Sequence, residues 1–417
     1  MERRHLDRIS KLPDAVLVKI LSSLPTTKDV VATSVLSKQW RSLWKMVHKL
    51  TFSYNGGNDI QRFSDSVRRT MLSLEAPYLQ SLHLDVEGDR MDGFGELLGI
   101  ACGLHVRELV LKLYGPDSNR HPIILDNCPS LETLKVLGEY GSIALEVPSP
   151  VCLKSLRTLH LQDLFYEDDD ESVENLLAGC VSLEDLFVAR WGHDGVETFT
   201  VDVPSLQELT IEDNVFDNSD YVINTPSLKK LTIDAIGNPI GSEFMMIDAP
   251  EVVEANIWTH ADFLMGESFS SVKRLSLSIS DLKVPAGSIF NQLEHLQLLT
   301  EHLDSWNPLM VMLDNSPNLQ ALEIIEHFGE VKWKRPKHVP QCLLHLKTLD
   351  WLVRGLTYGE EVAKYILSNA KSLESVILRL DRTSFDEYFP EKDRLKVCHD
   401  FEGWCPDDCE FELITIM

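Results

Sequence analysis

Cys398, His399, Cys405 and Cys409 are the closest this sequence comes to a cluster of reactive or metal-ligating side chains. Structural zinc takes four such ligands, usually as two pairs whose members stand two to four residues apart. Cys405 and Cys409 make one pair; Cys398, directly beside His399, does not make a second. We therefore read no metal site here. The acidic run Glu167-Asp168-Asp169-Asp170-Glu171 lacks the glycine and the alternating ligands of a calcium loop. It precedes an expected helix, where negative charge suits the dipole, and reads as a solvated turn, with contact to a basic partner as the second reading. The sequence has no Walker A loop, no G-x-S-x-G, no H-E-x-x-H and no Rossmann glycine pattern. The Asp92-Gly93-Phe94-Gly95 string has none of the kinase pattern around it. No acid–base or nucleophile constellation emerges, so the expectation is a non-catalytic protein with no cofactor.

Composition narrows the classes further. The chain has 417 residues, 44% of them hydrophobic, which supports a substantial core and excludes disorder. Its formal charge is −26. That excludes nucleic acid as a partner, since phosphate binding draws on clustered Lys and Arg. Nothing approaches the apolar run that a membrane span needs. Met1-Glu2-Arg3-Arg4-His5 is charged and leads into no secretory apolar stretch. The eight scattered cysteines are then expected as reduced thiols, in the cytosol or the nucleus.

The elements come next, and the N-terminal ones are the most telling. Residues 7–44 read as three short helices. Leu12-Pro13-Asp14 opens the first, with proline where a missing N–H costs least. Val16, Leu17, Ile20, Leu21 and Leu24 follow near one face, and Pro25 ends it. Thr26 and Asp29 match a capping box for the second helix, which carries Val30, Val31, Val35 and Leu36. Ser37 is the expected cap of a third turn with Trp40, Leu43 and Trp44. Roughly 40 residues cannot bury so many large side chains among themselves. The segment must cover the next domain or dock another protein.

This segment resembles an F-box along its whole length. The matching residues are Leu12, Pro13, Asp14, Leu17, Ile20, Leu21, Leu24, Pro25, Asp29, Val35, Leu36, Ser37, Trp40 and Trp44. The resemblance implies binding to the Skp adaptor of cullin-based ubiquitin ligases. It implies contact through Leu12, Pro13, Leu17, Ile20, Leu21, Leu24, Val35, Leu36 and Trp40. The wording VVATSVLSKQWRSLW is similar to the plant-expanded branch of that family.

From Leu79 a Leu-x-x-Leu-x-Leu pattern recurs, ending with the copy at Leu373. Twelve steps separate the first and last copies, about 24.5 residues each. Period and pattern are those of leucine-rich repeats. Alternation within each hexapeptide makes a short strand with one buried face, which only stacking on neighbours can cover. Several copies follow a proline, in CPSL at Cys128, VPSL at Val203, TPSL at Thr225 and SPNL at Ser316. Proline donates nothing to a ladder and suits a strand's entry. Glu171–Cys180 and Pro308–Pro317 are expected helices of the outer layer, while EVPSP around Pro148 reads as extended or irregular, so that the convex side is uneven.

The stretch from Trp333 resembles the FBD domain that follows repeats in many plant F-box proteins. Trp333, Pro336, Val339, Pro340, Cys342, Leu343, Leu346, Gly355, Glu360, Glu361, Tyr365, Ile366, Leu367, Asn369, Ala370 and Leu373 carry that likeness. The expected fold is α/β: a helical F-box over 7–50, a solenoid of leucine-rich repeats over 79–330 with parallel strands on its concave face, and an FBD region over 331–417 that extends and caps it. The expected function is target recognition in a Skp–cullin–F-box ubiquitin ligase, with an unidentified target protein on the repeat face. Phe187, Glu208, Thr210, Asp234, Asn256 and Trp258 are its candidate contacts, two aromatics among acidic residues that suit a basic or amphipathic peptide. A small-molecule co-receptor and a scaffold outside any ligase are the alternatives. The outward positions show no tight Lys/Arg cluster for a phosphorylated ligand.

Overall fold

The computed structural model describes residues 9, 12–56, 59–88, 93–115, 121–124, 128–139, 143–147, 151–166, 169–192, 194–214, 220–235, 245–259, 269–278, 289–300, 306–326, 333–353, 359–381 and 391–416. The chain forms two compact units, residues 1–206 and 207–417.

Unit 1 opens with helices α1 (Asp14–Leu21), α2 (Thr27–Ala32) and α3 (Trp40–Leu43). Strand β1 (Lys49–Asn55) and helix α4 (Ile60–Leu72) follow. Then come β2 (Ser81–Glu87), α5 (Phe94–Gly103), β3 (Glu108–Tyr114), β4 (His121–Ile124), β5 (Thr133–Leu137) and β6 (Ile143–Glu146). The unit ends with β7 (Thr158–Gln162), β8 (Leu164–Tyr166), α6 (Asp169–Ala178), β9 (Asp185–Trp191) and β10 (Thr198–Asp202). Strands β1, β2, β3, β5, β7 and β9 pair side by side, all parallel. Strands β4, β6 and β8 make a second parallel sheet.

Unit 2 contains β11 (Glu208–Asn214), β12 (Asp220–Asn224), β13 (Lys230–Ala235), β14 (Met245–Asp248), β15 (Glu254–Thr259), β16 (Arg274–Ser278) and β17 (His295–Leu299). It continues through α7 (Asn307–Asn315), β18 (Ala321–Glu326), β19 (Thr348–Val353), α8 (Glu360–Asn369), β20 (Ser375–Asp381), α9 (Glu391–Trp404) and β21 (Glu410–Ile416). Strands β11, β13 and β15 to β21 form its parallel ladder. Strands β12 and β14 pair parallel away from it.

The hexapeptide alternation sets the register. Leu82, Leu109, Leu134, Leu159 and Leu186 stand opposite one another on successive strands of unit 1, each at most 2% exposed. Leu209, Leu231 and Ala255 do the same in unit 2, while Thr210 and Thr232 point the other way and are half-buried. The four proline motifs share one conformation. In each, the leucine N–H donates to the carbonyl of the residue before the proline, at 3.1–3.2 Å. Proline thus occupies the second position of a tight turn, where its fixed φ is an advantage.

Several local expectations need correcting. Pro13 is the N-cap of α1, not its first helical residue. Ser37 does not cap α3, which follows Gln39 without a side-chain cap. Ser81 and Val110, at outward positions of the pattern, are 4% and 8% exposed. The EVPSP segment, expected as extended or irregular, lies mostly outside the described residues; Glu146 at its start ends β6, which forms a sheet with β4 and β8. Asp170 lies in α6 and is engaged, since its carboxylate accepts the N–H groups of Glu197 and Thr198. No helix among the described residues is long and apolar enough to cross a membrane.

Candidate functional site

The first candidate surface is on the three N-terminal helices. In α1 the apolar stripe is split between two faces. Leu17 and Leu21 are completely buried, whereas Val16 and Ile20 are 42% and 41% exposed. Trp40 and Leu43 of α3 and Val30 of α2 complete the small core. Three residues expected to face a partner, Leu17, Leu21 and Trp40, therefore lie inside and support the surface from beneath. Leu12, Pro13, Ile20, Val35 and Leu36 remain exposed, Val35 at 85% and Leu36 at 65%; Leu24 is half-buried. Val35 ends a short 3-10 turn, Thr33–Val35, that projects it and Leu36 away from the core. Thr26 holds the start of α2 by accepting the Asp29 N–H at 3.1 Å, and its hydroxyl donates to the Asp29 carboxylate. Buried Thr27 accepts the β1 amide of Thr51 at 2.8 Å, which ties these helices to the first strand.

The second candidate surface is the polar side of the ladder strands. In unit 1, Val110, Lys135, His160 and Phe187 stand in register on β3, β5, β7 and β9. Phe187 is half-buried and lies face-on against the His160 ring, 4.0 Å between centroids. Burial pushes the His160 imidazole below its ordinary pKa, so the neutral ring is favoured against Phe187.

In unit 2, the outward residues form three rows. One runs Glu208, Lys230, Glu254, Arg274, His295, Ala321, Thr348, Ser375. The middle row runs Thr210, Thr232, Asn256, Ser276, Gln297, Glu323, Asp350, Ile377. The third holds Glu212, Asp234 and Trp258, then Leu299, Ile325, Leu352 and Arg379 further along. Glu208, Thr210, Asp234, Asn256 and Trp258 all lie on this side, half-buried by their neighbours. Glu208 pairs with Lys230 at 2.8 Å, so its charge is partly spent inside the protein. The Trp258 indole N–H donates to Ser276 at 3.1 Å. Phe187 belongs to unit 1 and Trp258 to unit 2.

The FBD-like stretch carries an interior that the sequence did not single out. Glu326, at the end of β18, is 2% exposed and accepts the Trp351 indole N–H at 2.8 Å. Burial pushes its carboxyl up to about 7. Trp306 and Phe401 flank the Trp351 ring at 5.9 and 5.7 Å. Gly359 packs on Trp306 so closely that a Cβ there would stand 2.7 Å from the ring. Among the described residues no three metal-ligating side chains gather.

Comparison with known proteins matches these surfaces in order. An F-box domain model covers residues 9–52. The leucine-rich-repeat model of an FBD-associated F-box protein covers 95–254, and an FBD model covers 335–378. Three Arabidopsis thaliana proteins described as F-box/FBD/LRR-repeat proteins are similar over almost their whole lengths. One is 46% identical over 88% of both chains. Another is 41% identical over 97% of this chain and 94% of its own, and a third 42% identical over 95% and 90%. An N-terminal helical segment, two units of parallel ladder and a C-terminal FBD match thus converge, and the chain belongs to the F-box/FBD/LRR-repeat protein family.

Proposed function

We propose that this chain is the target-recognition subunit of a Skp–cullin–F-box ubiquitin ligase. The F-box over 7–50 would attach it to the Skp adaptor and, through that, to a cullin. The repeats over 79–330, extended by the FBD region over 331–417, would hold the target protein. The observation that carries this reading is the set of exposed apolar side chains on the F-box helices, Val35 and Leu36 more than half exposed and Leu12, Val16 and Ile20 exposed as well. A set of that kind marks a docking site when its neighbours form a packed core. The contact set is then Leu12, Pro13, Val16, Ile20, Val35 and Leu36, with Leu24 at its edge. Leu17, Leu21 and Trp40 hold it in shape.

The chain itself makes or breaks no bond in this role. Its contribution is proximity: a target lysine held near the conjugating enzyme reacts as though at high concentration. Such a protein works in the cytosol or nucleus, where its thiols stay reduced. The test is direct. Purified Skp adaptor should bind the full chain, and Val35→Asp with Leu36→Asp should lower that affinity by well over tenfold, since central anchors carry much of an interface's energy. The melting temperature should barely move, because both residues are exposed. Undiminished adaptor binding by the double variant would refute the assignment.

A further inference from the structure

The polar side of unit 2 is hollowed over β15 to β20. Ala321, Thr348 and Ser375 are small side chains in the row that holds Glu208, Lys230, Glu254 and Arg274 on earlier strands. Beside them opens a depression of about 700 Å³. The side chains of Glu254, Arg274, His295 and Glu323 line it, and none of these four has an ion pair or hydrogen bond among the described residues.

Its floor is more ordered. Trp258 donates to the Ser276 hydroxyl, which donates to the Gln297 side-chain oxygen. That chain leaves the Gln297 amide nitrogen as a spare donor, in register beside Glu323 on the next strand. Asp350 stands beside Glu323 on the following strand. One of its oxygens accepts from Arg379 at 2.6 Å; the other is covered and has no donor among the described residues. A spare amide donor and a free carboxylate thus stand in register on adjacent strands, whose backbones lie about 4.8 Å apart. That pairing suits a peptide carbonyl together with a cationic side chain. Glu254, Glu323 and Asp350 against two guanidiniums, Arg274 and the Arg379 that binds Asp350, leave the hollow a net negative charge.

We propose that this hollow receives a single lysine or arginine side chain from an extended segment of the target, with Glu323 as its counter-charge and Gln297 holding the segment's backbone. The unpaired Arg274 opposes a second adjacent cation, so the site reads one basic residue and not a polybasic tail. The inference rests on the reading of the repeat face as the target-holding surface, and narrows that face to β15–β20.

The probe is a displayed library of random ten-residue peptides, selected on the intact chain. Enriched peptides should share one Lys or Arg at a fixed position. Glu323→Gln should weaken them about tenfold without changing the melting temperature, and Glu323→Lys should turn the selection toward Asp or Glu. Enriched peptides with no basic preference, or indifferent to Glu323, would overturn the proposal. In that case, loss of the same peptides on Thr210→Arg or Thr232→Arg, both outside the hollow, would keep the repeat face as the target surface while moving the site along it. If the peptides ignore all of these changes, or none is enriched, the narrower and the broader reading fall together.

Discussion

Glu326 is the residue whose chemistry departs furthest from what its type suggests. A glutamate among Trp351, Trp306 and Phe401 is desolvated, and burial favours its neutral form. Its folded pKa, about 7, stands above the 4.5 of an ordinary glutamate. Between those values the folded state holds the extra proton. The stabilisation is therefore complete below about pH 4.5 and is lost as pH rises through 7. Glu326→Gln should remove this slope, so that the variant gains on the parent between pH 6 and 8 by on the order of 1–3 kcal/mol. Denaturant titrations at both ends of that range read the difference, and parallel pH profiles would refute the account. Sequence pattern did not reveal this group. It sits two positions past the Leu319–Ile324 hexapeptide, and nothing in its neighbours along the chain says that Trp351 will supply a donor 25 residues on. Leu209 and Thr210 were legible for the opposite reason. Their fate depends on alternation alone, which is a local property.

Among the elements, the F-box shows where local pattern stops being sufficient. The capping of α2 by Thr26 follows from residue types three apart, and it is found as expected. The partition of α1's stripe does not follow, because Val16, Leu17, Ile20 and Leu21 all fit one broad face and only the position of α3 decides which are covered. The likeness to a known family identifies the segment and cannot tell an anchor from a core residue, since both are kept apolar. Thr27 was missed altogether, although its hydroxyl joins this segment to β1. Thr27→Val keeps the shape and removes the acceptor of the Thr51 amide. That should cost about 1–3 kcal/mol, the range for leaving a buried polar group unpaired. Hydrogen exchange at Thr51 should quicken in step, and an unchanged rate would mean that the strand, not the hydroxyl, protects that amide.

At the scale of the whole molecule, charge sets the solution behaviour. The net −26 opposes compaction, whereas exposed pairs such as Arg107–Glu132 and Lys45–Glu75 contribute at most about 1 kcal/mol each. The repulsion acts among all the surface charges and is the larger effect. Raising ionic strength from low to moderate at pH 8 should therefore raise the melting temperature by roughly a few degrees. A fall would show that the exposed pairs outweigh the repulsion. The two-unit division lies within the repeats, where the pattern passes unbroken from the copy at Val203–Leu206 to that at Leu228. Periodicity records which residues are alike and holds no information about how contacts are grouped.

The turns at Cys128, Val203, Thr225 and Ser316 fix where each strand begins, while the chain between strands varies in length and content from one repeat to the next. Heritable change should therefore fall unevenly on this gene. A codon gained between α4 and β2, where Glu75, Pro77 and Tyr78 are exposed, lengthens a surface connection, and doubling such a connection costs only about 0.6 kcal/mol. A codon gained between Leu209 and Ile211 would instead turn every later side chain of that strand to the opposite side, burying Glu212 and exposing Ile211. Descendants of this sequence can drift in length at many places. They cannot do so inside the hexapeptides, where reading phase and side-chain phase are the same constraint.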